Sequence, residues 1–216
     1  MGAAAGVELE EHFFNAEDGL RLFFRRWSVA EPRGLVVLLH GFAEHCGRYE
    51  HVAAALNAAG YSAAALDFRG HGQSGGKRAH IDAFSEYLGD VTALLGEVRH
   101  AGFEGPPVLL GHSQGGLIAA RYAELYPDRL SALALSSPFL GLAMKVPAVK
   151  AAAGRMMSRL WPSFSMPNGL DPAWVSHDPA VVERYAADPL VSHIVTARWF
   201  TEVAQAQADT LADAGR

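Results

Sequence analysis

The sequence predicts an α/β fold: a mostly parallel sheet with helices on both faces and a helical insertion late in the chain. The first sign is a set of short aliphatic runs at residues 35–39, 61–68, 107–111 and 130–136, each continuous enough to be a strand buried on both faces. The second is that helical patterns at residues 49–59, 83–100 and 115–126 fall between those runs. Strand and helix in alternation give a parallel sheet wound by right-handed crossovers. The third is composition: 216 residues, half of them hydrophobic, suffice to bury a real core and argue against disorder.

Ahead of the first buried run, residues 7–16 and 20–29 are apolar-aromatic stretches joined by Glu17-Asp18-Gly19, a turn signal, so an antiparallel pair is expected there. After Pro138 the alternation stops. A stretch rich in Leu, Val, Ala, Met and Trp runs to about residue 166, broken by Pro147 and Pro162, and reads as an inserted helical segment. Residues 196–214 then carry one last helical pattern, with no strand behind it. The expected organisation is a core at residues 1–137, a helical cap at 138–195, and at 196–216 a helix leading back towards a C-terminal part of the core that this chain lacks.

Charge and cysteine usage narrow the function classes. A net charge of −5, with basic residues scattered among acids, offers no broad cationic surface, so nucleic acid is not an expected partner. Cys46 is the single cysteine, which excludes an internal disulfide framework and fits a reducing compartment. The first six residues lack the pattern of a secretory leader, and no apolar run reaches the length of a membrane-spanning helix, so a cytoplasmic protein with at most peripheral membrane association is expected.

Gly111-His112-Ser113-Gln114-Gly115 matches G-x-S-x-G directly after an expected strand and before an expected helix. A sharp strand-to-helix turn of this kind forces the serine into a strained backbone and lifts its hydroxyl at the carboxyl edge of the sheet, which marks Ser113 as the nucleophile of an α/β-hydrolase fold. An accidental pentapeptide in a helix-start turn is the competing reading, and the flanking strand and helix weigh against it. His112 is adjacent to the serine, but neighbours in such a turn point apart, so a packing or hydrogen-bonding role is expected of it.

In that fold one oxyanion donor comes from the loop after the first buried strand and another from the residue after the nucleophile. Here these are the backbone N–H groups of Phe42, in His40-Gly41-Phe42, and of Gln114. Alone, His40-Gly41 would be an ordinary strand-ending turn; the elbow changes its weight.

Residues 40–49, HGFAEHCGRY, together with Asp67-Phe68-Arg69-Gly70-His71-Gly72-Gln73-Ser74 and the elbow, resemble the monoacylglycerol lipase and lysophospholipase branch of the serine hydrolases. Ser136-Ser137-Pro138 and Asp188-Pro189-Leu190-Val191 extend the similarity over nearly the whole chain from about residue 7. Ala43 departs from the pattern, which usually has a second glycine there. The resemblance implies a carboxylic ester hydrolase acting through Ser113 and an acyl-enzyme, a small-molecule acyl ester as partner, and loop-bracing roles for Asp67, Arg69 and His71. No His/Cys/carboxylate set has ligand spacing, so no metal and no organic cofactor is expected.

The inserted segment would cover the acyl chain. Every methionine except the initiator falls in it, Met144, Met156, Met157 and Met166, with Leu160 and Trp161 nearby, and Met144, Met156, Met157, Leu160 and Trp161 are the expected substrate-binding residues. Methionine adapts to varied acyl chains and suits a surface that touches a bilayer; ordinary packing of a small helical subdomain is an equal alternative.

In the same architecture the acid and the histidine of the triad follow the nucleophile on later strands, and this chain offers no such strands. His177 and His193 do not match the family's catalytic histidine. The expectation is a sheet lacking its last two strands, roughly 60 residues of strand and helix. An inactive piece, a noncatalytic acyl-ligand binder and a serine aminopeptidase on the same fold therefore stand as alternatives, the last requiring an anionic cluster for the substrate's amine.

Overall fold

A computed structural model describes residues 7–141 and 148–214. The chain opens with the expected hairpin: β1 (Glu8–Asn15) and β2 (Arg21–Ser28) pair antiparallel, with Glu10 opposite Arg26 and Glu11 opposite Arg25. β3 (Leu35–Leu39), α1 (Glu50–Ala58), β4 (Ser62–Asp67), α2 (Ser85–His100), β5 (Val108–His112), α3 (Gln114–Leu125) and β6 (Ala132–Ser136) follow in the alternation that the aliphatic runs predict.

The six strands lie in the order β1-β2-β4-β3-β5-β6. β4, β3, β5 and β6 are mutually parallel, and β2 joins β4 antiparallel. Because side chains alternate across a strand, Leu35, Val37 and Leu39 of β3 face a core shared with α2 and α3, while Val36 and Leu38 face Cys46, Tyr49 and Ala53 on the α1 side. Helices thus cover both faces of the central strands, as continuous aliphatic runs require. Among the described residues β6 pairs only with β5, and Leu133 and Leu135 on it remain exposed.

Beyond β6 come α4 (Ala148–Leu160), β7 (Ser165–Pro167), α5 (Pro179–Ala187), β8 (Ile194–Thr196) and α6 (Ala197–Asp213). The insertion is not all helical, as the sequence suggested: β7 and β8 pair antiparallel into a small ribbon. Strands of three residues carry no periodicity to read, and Pro167 at a strand end argues against one. α6 begins at a Thr196 cap whose hydroxyl accepts from the Trp199 N–H, and its Trp199, Val203 and Ala206 join the core beside α2 and α3. No helix among the described residues is long and apolar enough to cross a membrane.

Candidate active site

Ser113 lies between β5 and α3 with φ +51°, ψ −115°. That backbone is costly for any residue bearing a Cβ, on the order of 1–3 kcal/mol, and persists only where surroundings impose it. Here they do. The Ser113 N–H donates to the Ser136 carbonyl at 3.1 Å, and its own carbonyl accepts from Phe139 N at 2.8 Å and Leu117 N at 3.1 Å. The flanking glycines permit the crossing: a Cβ on Gly111 would strike the Gly115 carbonyl, and one on Gly115 would strike the carbonyl oxygens of Leu39 and His40. His112 turns away and its Nδ1 meets the Ser136 carbonyl at 3.1 Å.

The loop after β3 arrives beside this turn, since a Cβ placed on Gly41 would lie 3.3 Å from the Ser113 Cβ. His40 fixes its start. Nε2 accepts from Phe68 N at 2.9 Å, so Nδ1 carries the proton and donates to the Gly41 carbonyl at 2.7 Å. Burial, although opposed by Asp67 and Glu44, lowers the His40 pKa and keeps the ring neutral. The Glu44 carboxylate then gathers the rest of the loop, accepting from Gly41 N at 2.7 Å, the Tyr49 hydroxyl at 2.7 Å and Arg48 Nε at 2.9 Å. Burial opposes its ionisation, but the Tyr49 hydroxyl and the Gly41 N–H outweigh it and hold its carboxyl below the usual range. Ala43, at the position where the resemblance leads one to expect glycine, is fully buried with φ +68°.

Behind this loop Asp67 accepts from Cys46 N at 2.7 Å and from Gln73 N at 2.8 Å, joining two loops through one buried carboxylate. Arg69 pairs with the buried Asp90 through Nε and Nη2 and reaches Asp18 and Glu86 through Nη1. Burial pushes Asp90 up to about 6 against the pull of Arg69. His71 donates from Nδ1 to the Arg69 carbonyl, and burial drives its pKa down to about 3.

A cavity of about 280 Å³ opens onto Ser113. It is close to the lower end of ligand pockets, roughly 300–1,000 Å³, and predominantly apolar as such sites are. One wall is a face of α6, where Trp199, Phe200, Val203, Ala204 and Gln207 recur at helical spacing; Phe42, Phe139, Leu170 and Val195 close the others. The Phe42 and Trp199 rings pack with centroids 4.1 Å apart, and Gln207 Nε2 donates to the Phe139 carbonyl at 2.8 Å, fastening α6 to the segment after β6.

Ser113, Phe42 and Gln114 are therefore brought together, but the expected substrate-binding residues are placed elsewhere. Met156, Leu160 and Trp161 are largely exposed, Met157 is half-buried, and none of the four lines the Ser113 cavity; Met144 lies outside the described residues. The cavity wall is built by α6, whose amphipathic pattern of Trp199, Val203, Ala206 and Thr210 was the available signal. Among the described residues no histidine or carboxylate hydrogen-bonds the Ser113 hydroxyl.

The family described as serine aminopeptidase, S33, matches residues 30–216. The chain belongs to this family of α/β-hydrolases. The hydrolase chain is 44% identical over 184 residues to a monoacylglycerol lipase of Mycolicibacterium smegmatis, a match covering 85% of this chain and 65% of the relative. It is 32% identical to phospholipase YtpA of Bacillus subtilis, over 82% of this chain and 68% of that protein. Among solved structures, a monoacylglycerol lipase of Paleococcus ferrophilus superposes with a TM-score of 0.78 at 35% identity, over 97% of this chain and 74% of its own. The chain thus spans about two thirds of the length of the mycobacterial relative.

Proposed function

We propose that this hydrolase chain cleaves carboxylic esters of the monoacylglycerol or lysophospholipid type, with Ser113 as nucleophile and the Phe42 and Gln114 N–H groups as oxyanion donors. The observation that carries the reading is the apolar cavity opening directly on a serine held at φ +51°. The strained turn points a hydroxyl at the cavity mouth, and the cavity offers an acyl chain aliphatic and aromatic walls. Attack by the Ser113 Oγ on the ester carbonyl forms a tetrahedral oxyanion between the two N–H donors; collapse expels the alcohol and leaves an acyl-serine, which water then hydrolyses. The serine requires a general base to react at neutral pH.

The lipase and phospholipase relatives support the substrate class. The aminopeptidase reading, which the family's description raises, needs an anionic group beside the scissile bond, and the cavity wall contains no charged residue among those described. Peripheral contact with lipid is supported by a stripe on α4, where Ala152, Met156 and Leu160 recur at i, i+4 and i+8 beside Arg155 and Arg159. Hydrolysis of p-nitrophenyl decanoate, with Ser113→Ala as control, tests the proposal. Turnover that disappears in the variant supports it. Acyl-ligand binding without turnover would favour the binder, and turnover that survives Ser113→Ala would remove Ser113 from the chemistry.

A further inference from the structure

Asp188-Pro189-Leu190-Val191 lies some 75 residues beyond the nucleophile, on a turn that no step of the proposed reaction uses, yet it touches the loop beside Ser113 twice. Asp188 Oδ2 accepts from His45 Nε2 at 2.8 Å, and Ser192 N donates to the Ala43 carbonyl at 2.8 Å. His45 Nδ1 accepts from Gly47 N at 3.2 Å, which leaves its proton on Nε2, directed at the carboxylate. The other oxygen of Asp188 accepts from Leu190 N at 2.9 Å. Burial opposes the ionisation of Asp188, but the His45 and Leu190 bonds outweigh it, so the carboxyl titrates below its usual range.

We propose that Asp188 is a positioning residue that, through His45, fixes the loop from which Phe42 presents its N–H to Ser113. Phe42 is flanked by two anchored groups. On its N-terminal side the Gly41 N–H is held by Glu44, from within the loop, and the Gly41 carbonyl, of the peptide that carries the Phe42 N–H, by His40. On its C-terminal side the Ala43 carbonyl is held by Ser192, from outside it. The outside anchor is only as firm as the 188–192 turn, and that turn is pinned by Asp188 to His45, by the buried Val191 and by Asn168, whose Nδ2 donates to the Ser192 carbonyl at 2.9 Å. The need for an external hold follows from Ala43: a left-handed alanine relaxes readily to negative φ, and such a relaxation would rotate the Phe42–Ala43 and Ala43–Glu44 peptides and drag Phe42, with its N–H, along the chain. An oxyanion donor that swings loses its alignment before it loses its place.

The catalytic part of this inference rests on the hydrolase reading, so the test has two readouts on the full chain. In Asp188→Ala, His45→Ala and the double variant, backbone hydrogen exchange at residues 42–45 should quicken about tenfold or more while β3 stays protected, as for a local opening. Ester hydrolysis should lose roughly 10- to 100-fold in kcat with little change in KM, less than the 10²–10³ that deleting an oxyanion donor costs. The double variant should lose less than the sum of the two single changes, because the His45–Asp188 bond is broken in all three while each single change also removes one bond of its own, to Leu190 N or Gly47 N. Asp188→Asn serves if the alanine variants do not fold: keeping size but losing one acceptor, it should shift both readouts partway. Unchanged exchange at residues 42–45, or quickened exchange with unaltered kcat in an active chain, overturns the proposal. If the unsubstituted chain does not hydrolyse esters but exchange still quickens in the variants, the hydrolase reading fails and the hold on the loop stands.

Discussion

The loops beneath Ser113, here the floor, and the segment from α4 to α5, here the roof although Leu160 and Trp174 do not line the cavity, invert the usual arrangement of residues in opposite directions. Beneath the serine, groups that belong in water are buried: His40, Asp67, Arg69, His71 and Asp90 are each 6% exposed or less. In the roof, apolar groups that belong inside are in water, with Leu160 75% and Trp174 74% exposed. Burying a polar group costs free energy unless every bond is made, so the floor tolerates little movement and holds loops at set positions. Exposed apolar side chains cost little in the folded chain and remain free to meet a surface. One region fixes geometry, and the other is available for contact.

The sharpest test of this contrast removes a partner from the floor. Arg69→Met leaves Asp90 buried without its cation and should cost about 3–5 kcal/mol at pH 7 in urea unfolding. The deficit should shrink as the pH falls, because Asp90 then enters the folded state protonated; a constant deficit would mean that packing of Arg69, not its charge, is what matters. Next comes Gly115→Ala, whose Cβ strikes the backbone carbonyls of Leu39 and His40, with an expected loss near the upper end of the usual 1–3 kcal/mol for overpacking. A stable variant would show that β3 and α3 can separate.

Acid should weaken the floor before the roof. His71 is depressed to about 3 and His40 in the same direction, so between their ordinary value and their folded values the unfolded chain binds more protons, and stability falls as pH falls. Asp90, raised to about 6, has the opposite sign over its own window and offsets one histidine. The two histidines together outweigh Asp90, so stability should fall as the pH is lowered from about 6 towards 4, read from thermal melts; a flat profile would contradict the neutral state of the two rings.

Two smaller effects complete the series. Ser113→Gly relieves the positive φ while widening the unfolded ensemble, and should stabilise by about 1 kcal/mol, whereas Ser113→Ala should not; equal melting temperatures would mean that the turn is unstrained. In the roof, Met156→Ser, Leu160→Ser and Trp161→Ser should each stay within about 0.5 kcal/mol of the parent, yet together lower retention on phosphatidylglycerol vesicles. Stability losses beyond that would show that these side chains pack.

The sheet was legible because its signal is redundant. Each central strand combines a continuous aliphatic run, a length of a few residues and a bounding turn, and β3 to β6 appear where those cues coincide. The elbow was legible for a different reason: a crossing of strand and helix that excludes a Cβ at Gly111 and Gly115 leaves two glycines at fixed spacing in the sequence. The cavity wall was not, because it depends on which face of α6 turns towards Ser113. Trp199 and Val203 are as ordinary in an amphipathic helix as they are in a ligand site. The β7–β8 ribbon escaped for want of length, and the Asp188–His45 pair because its partners are 143 residues apart.

The fastening of α6 has a consequence for measurement. Since this helix is both a cavity wall and part of the main core, the cavity is lost when the core melts, and any molecule that fills it binds the native chain alone. Melting temperature then becomes a census of ligands. At a hundred times its dissociation constant an occupant adds about 2.7 kcal/mol to the native state, so a panel of fatty acids and monoacylglycerols of graded length can be ranked by thermal shift on Ser113→Ala, without a single turnover.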